Sequence, residues 1–507
     1  MNSPQVESSA ELRRLVYLLL IVVSAGSMLG RILSLDSVDK FAMEDYRLKK
    51  VAASLEAKRA SLKAEGVSDA AIASQLGELE AKWTAQAKLR RPFLSANDRS
   101  RWCTVRALVE DDMRVAGAPY AIDKVVQQAN WDTIDMVKCQ GHFYSSKPPL
   151  LPTVMAGVYW PIHKLTGATL GTHPYEIGRF LLVVFNLVPF VIYFLLLAAL
   201  IERFGTTDWG RIFVMAAATW GTFLTTFAVT INNHILAAVF AVAAVYATAR
   251  IWFDGERRWR FYFLAGLCGG LMTVNEFTAL SLLALLGAAL TWKSAGRAVI
   301  GAGTGVLLVA VFFFATNWIA FHSLKPAYLH RSGNDNWYDY SYERNGRTVD
   351  SYWRKPQGID RGEPCWATYA THVLIGHHGL FSLTPIWLLS AFGMGMWLRR
   401  GVDKRLRWAA AGVAAVSLAC LVFYLGQPPI NRNYGGTTSG LRWLFWLAPL
   451  WLVTMLPALD GCAARRGLRG LALTLLGISV VSVTYPTWNP WTHPWLMNFW
   501  NYLNGGA

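Results

Sequence analysis

The chain has no CxxC pair and no Cys/His spacing of the kind that holds zinc, so the cofactor is unknown: a divalent metal stays open, with no ligand motif to support it. It has no convincing internal repeat, the feature expected of transporters built from paired bundles. Nor does it carry a soluble domain of ordinary size at its C-terminal end, where the sequence closes in a short Trp-rich tail, 486–507. Charge is scarce as well: 16% of the 507 residues are charged, against 54% hydrophobic and 13% aromatic. One soluble core of this length would not be so apolar, and a membrane is the expected solvent.

Apolar runs of spanning length occur at 15–34, 178–201, 209–229, 235–249, 261–275, 277–292, 298–320, 381–398, 408–425, 441–458 and 468–485. They predict an all-α polytopic membrane protein with about eleven transmembrane helices. The formal net charge of +16 could point to nucleic acid, so what matters is where the Lys and Arg residues sit. They sit between spans: Arg13 and Arg14, Arg203 and Arg211, Arg250 to Arg260, Lys293 and Arg297, Arg399 to Arg407, and Arg465 to Arg469. All these loops fall on one side if the N-terminus is cytoplasmic, as the positive-inside bias requires, and the C-terminus then lies outside. The excess charge is topological, and no nucleic-acid partner is expected. A further apolar stretch, 148–166, starts with Lys147-Pro148-Pro149 and carries Pro152, Pro161 and His163. Counted as a span it would invert every later loop, so it reads as a juxtamembrane helix at the outer interface. The first run resembles a signal peptide but is too long for a usual signal core, and the parity needs it retained.

The segments are therefore a first span, 1–34; an outer loop, 35–147; the juxtamembrane helix, 148–166; spans over 178–320; a second outer loop, 321–380; spans over 381–485; and the outer tail, 486–507. Within the first loop, 36–95 reads as a helical hairpin. Leu48, Leu55 and Leu62 recur at heptad spacing, Gly66 and Ser68 mark a turn, and Ile72, Leu76, Leu79 and Trp83 continue the stripe. The pair packs on itself or the outer domain, or else docks a partner or acceptor. The second loop is dense in Tyr, Trp, Arg and His, which suits sugar rings or an ordinary interfacial aromatic belt. Of the six cysteines, Cys103, Cys139 and Cys365 fall outside, where either a Cys103–Cys139 bridge or unpaired thiols fit.

Topology sends the conspicuous polar groups to one face, and polar groups at membrane depth are costly unless they line a cavity. Asp98, in Asn97-Asp98-Arg99-Ser100-Arg101-Trp102, precedes a helical pattern and fits a helix cap, a role compatible with catalysis. Lys147 opens a helix whose N-terminus also attracts anions, so it fits either a phosphate or lipid headgroups. Asn233-His234, Glu276 and Arg442 stand at outer span ends. His234 fits a second base, a phosphate ligand or a structural histidine. Glu276 fits a function or a pair with a nearby cation, and Arg442 fits the grip on a carrier phosphate or an anchor to lipid. His377-His378 lacks a third metal ligand in view.

The Asp98 motif followed by Phe143-Tyr144-Ser145-Ser146-Lys147-Pro148-Pro149-Leu150 and then alternating spans resembles the family 39 glycosyltransferases. These are relatives of the protein O-mannosyltransferases and lipid A aminoarabinose transferases in the C-type superfamily. Both motifs lie in the first outer loop; elsewhere the resemblance is one of hydropathy. It implies a bacterial inner-membrane enzyme with a periplasmic site, in which Asp98 acts on the acceptor hydroxyl and Lys147 meets the phosphate of a polyprenyl carrier. Arg99 stands where many relatives carry a second acid, and Ser146 where some carry Glu.

The expected function is transfer of a sugar from a polyprenyl-phosphate donor to a glycan, lipid or protein acceptor outside the membrane. Asp98, Arg101 and His234 are the candidate catalytic residues; Tyr144, Lys147, Asn233, Glu276 and Arg442 are the candidate substrate-binding residues, and no metal ligand is named. A flippase of a lipid-linked sugar and a catalytically silent envelope-assembly protein are the alternative readings.

Overall fold

Among the described residues of the computed structural model, eight helices are long and apolar enough to cross a membrane: Ser9–Leu33, Pro174–Phe204, Asp208–Val229, Asn233–Phe253, Ala295–Phe321, Lys404–Leu425, Arg442–Cys462 and Arg466–Thr484. The structure describes residues 4–39, 41–344 and 347–505. Residues 1–3, 40, 345, 346, 506 and 507, which fall in the first-span, hairpin, aromatic-loop and tail segments, lie outside the described residues. The eight helices coincide with eight of the apolar runs, and the other three runs correspond to shorter helices. Trp259–Asn275 and Phe277–Lys293 are two of them. The run 381–398 is broken between Leu380–Leu383 and Trp387–Trp397, where Pro385 offers no N–H and disfavours helical backbone at Thr384. Thus the protein is a polytopic helical membrane protein.

The chain divides into two compact units. The first comprises Met1–Ser34, Arg179–Thr316 and Lys355–Ala507, and holds the spans. Its charges gather at span ends. At one end Arg13 bonds Glu202 at 2.6 and 2.7 Å and also pairs with Asp208, while Asp460 accepts from the amides of Thr206 and Thr207 at 2.8 and 3.0 Å. These are the ends at which the alternating reading places the basic loops. Helix approach is set by glycine: a Cβ on Gly266 would lie 2.0 Å from the Ala302 carbonyl, and one on Gly305 2.5 Å from the Leu267 amide. Pro189 follows a π-turn, Val183–Leu187, whose buried Asn186 donates to the carbonyls of Ala228 and Thr230 at 2.8 and 2.9 Å.

The second unit comprises Leu35–Gly178 and Asn317–Arg354. Its first element is the helical hairpin Phe41–Ala64 and Asp69–Ala87, turning at Gly66 with φ +75°. Leu62, Ile72 and Leu76 are buried between the helices, with Leu55 and Val67 packed against them, so the stripe closes on itself. The hairpin leads to the polar helix Ala96–Val109, nearly all of it buried. Strands Met136–Cys139 and His142–Ser145 form an antiparallel pair in register Met136↔Ser145. Its two-residue turn, Gln140-Gly141, takes φ +50° and +87°, both left-handed, as a tight hairpin turn requires. The juxtamembrane stretch is the helix Leu150–Thr166, ended by Gly167 at φ +71° and packed on Ala96–Val109. Residues Ala320, Phe321, Ala327 and Tyr338 of the second loop share a buried cluster with Val137 and Tyr144 of the first. Cys103 and Cys139 are buried and unpaired thiols, and burial pushes the Cys103 thiol up to about 12.

Candidate functional site

In the second unit the helix Ala96–Val109 is capped by Ser95, whose hydroxyl accepts from the Asp98 amide at 3.0 Å. The cap is therefore Ser95 and not Asp98, because a Ser-x-x-acid sequence puts the hydroxyl at the cap and the acid one turn in. The Asp98 side chain is buried, and its Oδ1 accepts from the Trp102 indole at 3.0 Å, one turn along. Trp102 is fixed by Phe93, stacked at 4.4 Å and 10°, and Phe93 sits edge-on to Trp131. Phe93 adopts φ +64°, and a Cβ on Gly178 would come within 2.5 Å of its ring. An aromatic box thus holds the indole that holds the carboxylate.

The helix carries three buried arginines, and each needs partners at such depth. Arg99 donates to the carbonyls of Asp132 and Pro92 at 2.7 and 3.0 Å, which explains a cation directly after Asp98 as a pin on the loop. Arg106 pairs with Glu110 at 2.7 Å, bonds Gln128, and lies over Trp131 at 4.5 Å. Arg101 bonds the Asn97 carbonyl and side chain at 3.0 and 2.8 Å.

Lys147 lies just before the helix Leu150–Thr166, as expected, and its ammonium is 2.9 Å from Asp135 Oδ2. Asp135 was not among the expected site residues. The hairpin register brings it opposite Ser146, whose hydroxyl bonds its Oδ1. The Asp135 carbonyl accepts from Ser100 Oγ of the Asp98 helix at 2.6 Å, and Ser100 also contacts Ser145 Oγ at 2.6 Å. Burial alone would raise the Asp135 carboxyl, but Lys147, Ser146 and Arg101 outweigh it and hold the group below the usual carboxylate range. Tyr144 is buried in the neighbouring core, edge-on to Phe321. Tyr338 and Tyr340 of the aromatic loop are buried too, so these two rings belong to the core and offer no open sugar platform.

In the first unit the structure gathers Asn233, His234, Glu276 and Arg442. Asn232 caps the helix Asn233–Phe253, its Oδ1 accepting from Ile235. Asn233 donates to Glu276 at 2.8 Å and to the Asn275 carbonyl at 2.7 Å. His234 pairs through Nδ1 with Glu276, and Arg442 meets its Nε2 at 2.7 Å. Arginine can only donate, so Nε2 is the accepting nitrogen and Nδ1 carries the proton toward Glu276. Arg442 also donates to the Gly435 carbonyl at 3.0 Å and lies over Trp491 at 5.1 Å. The turn it grips, Tyr434-Gly435-Gly436, is left-handed throughout, with φ +56°, +93° and +79°. Tyr434 packs on His378 at 5.0 Å and 18°, and on His377 edge-on at 5.0 Å. Among the described residues no three His, Cys, Asp or Glu side chains converge as a metal-ligand set.

No family model matches the chain, and no curated protein matches it. Among solved structures it is similar to the Archaeoglobus fulgidus oligosaccharyltransferase. A crystal structure with Zn and sulfate shares 12% identity over 79% of this chain and 54% of that one, at TM-score 0.39. The apo form shares 11% over 78% and 51%, at 0.38. The archaeal oligosaccharyltransferase AglB from the same organism, in complex with an inhibitory peptide and a dolichol-phosphate, shares 12% over 78% and 54%, at 0.35. The chain spans about half the length of these proteins.

Proposed function

We propose that the protein is a glycosyltransferase that moves a sugar from a polyprenyl-phosphate donor to an acceptor hydroxyl of a glycan, lipid or protein at the outer face of a bacterial inner membrane. The observation that carries this reading is one buried network containing both the Asp98 helix and Lys147, joined through Asp135. A carboxylate that can take a proton and a cation that can meet a phosphate are the two functions such a transfer needs.

In the proposed step the acceptor oxygen attacks the anomeric carbon while its proton passes to Asp98. The bond from that carbon to the phosphate oxygen breaks, and the electron pair leaves with the polyprenyl phosphate, whose charge Lys147 offsets. The sugar inverts. Within the first unit, Arg442 is a separate candidate phosphate ligand. His234 has both ring nitrogens engaged, which suits the aiming of Arg442 better than proton abstraction, and Glu276 with Asn233 holds His234 in turn. Arg101, bonded to the Asn97 carbonyl and side chain, is the candidate orienting group.

The test is transfer in proteoliposomes supplied with lipid-linked sugars. D98N is expected to lower turnover by on the order of 10²-fold or more, the usual share of a general base. Transfer at the wild-type rate would overturn the assignment.

A further inference from the structure

Asp135 holds the Lys147 ammonium at 2.9 Å before any ligand arrives. Both of its carboxylate oxygens are used, one by Lys147 and one by Ser146, and the side chain is buried. Its main-chain carbonyl meanwhile anchors Ser100, two residues beyond Asp98. The Lys147 ammonium is part-buried and sits beside the buried Asp135 carboxylate, so each offsets the other's loss of water; yet an ammonium has three N–H donors and can be shared with a second anion.

We propose that Asp135 is a positioning residue that occupies Lys147 at rest and competes with the incoming phosphate for it. The inference rests on the proposed phosphate role of Lys147. The carboxylate fixes where the ammonium sits, which favours turnover, and its charge opposes the phosphate, which weakens binding. Removing the charge therefore moves the two in opposite directions, whereas loss of a merely structural residue weakens both.

The experiment titrates geranyl phosphate, a short prenyl monophosphate, into the full-length protein in detergent by calorimetry. Wild type, D135N, K147M and the double variant are compared, with Tm measured for each. D135N is expected to bind tighter, by on the order of tenfold for one charge removed a few ångströms away. It should also transfer sugar with lower KM and lower kcat. In the K147M background the D135N gain should vanish. Weaker or unchanged binding by D135N at a wild-type Tm overturns the proposal. If K147M binds as well as wild type, the phosphate role of Lys147 itself is wrong, a separate outcome. S146A provides a second variant should D135N fail to fold. Without the Ser146 hydroxyl the carboxylate holds Lys147 more strongly, so binding should weaken severalfold, and tighter or unchanged binding counts against the proposal.

Discussion

Acidification should destabilise the histidine cluster around Tyr434, by an amount the structure lets us work out. His372 stacks on His377 at 3.8 Å, and His377 Nδ1 lies 2.5 Å from His378 Nδ1, so one of these nitrogens must donate to the other. Burial first, then the neighbouring His372 and His493, hold His377 at about 4. Burial and His377 push His378 well below the ordinary imidazole value. His372 and His493 are lowered by burial as well, with Glu363 and Asp360 acting in the other direction. A histidine lowered in this way stays neutral when folded, while the unfolded chain takes up a proton near pH ~6.5. Stability is thus unaffected above that pH, falls as pH drops toward 4, and levels off below. For His377 the gap between 6.5 and about 4 corresponds to ~3 kcal/mol at ~1.4 kcal/mol per pKa unit. The ring is partly open to solvent, and screening reduces this to ~1–2 kcal/mol. Thermal unfolding of wild type and H377N in detergent, from pH ~7.5 down to ~4.5, should show wild type losing more of its Tm than the variant, with most of the difference below pH ~6.5. Parallel Tm curves for the two proteins would refute the reasoning.

Three further outcomes follow from packing. W102F leaves the buried Asp98 carboxylate one donor short, a loss of ~1.5–3 kcal/mol for a bond to a charged group, and an unchanged Tm would contradict it. G171A puts a methyl 2.5 Å from Arg106 Nη2 and pushes the guanidinium off Glu110 and Gln128; a Tm at or above wild type would show that Arg106 has room to move. G305L forces a side chain against the backbone of Gly266 and Leu267, costing at least ~1–3 kcal/mol, and fluorescence-detected gel filtration should show loss of folded protein.

The spans were legible because apolar length and the placement of Arg and Lys are one-dimensional signals; Pro385 accounts for the break in the run 381–398, and the run 209–229 is interrupted at Gly221-Thr222. The hairpin stripe was legible for the same reason, since Leu62, Ile72 and Leu76 repeat along the chain and meet across it. The sites were legible only as separate residues. Asp98 looked like a cap until Ser95 took that place, although the Ser-x-x-Asp spacing was there to be read. Asp135 lies twelve residues before Lys147 and meets it only through the register of a short strand pair, whose Gln140-Gly141 turn is a weaker signal than Asn-Gly. Glu276 and Arg442 lie 42 and 208 residues from His234, beyond any local pattern.

What those distant pairings share is a physical requirement that a sequence states only half of. A cation drawn partly out of water needs an anion or oriented dipoles. For Lys147 the fold supplies Asp135, and for Arg442 it supplies the Gly435 carbonyl and an imidazole backed by Glu276. Each candidate phosphate-binding cation is therefore already matched before a ligand arrives. Under the proposed roles an incoming phosphate competes with a resident partner, and at Lys147 its affinity reflects a balance between two anions at one cation. That is why the effect of removing Asp135 is expected to carry opposite signs in binding and in turnover, and why charge-neutral substitutions at the partners are more informative than deletion of the cations themselves.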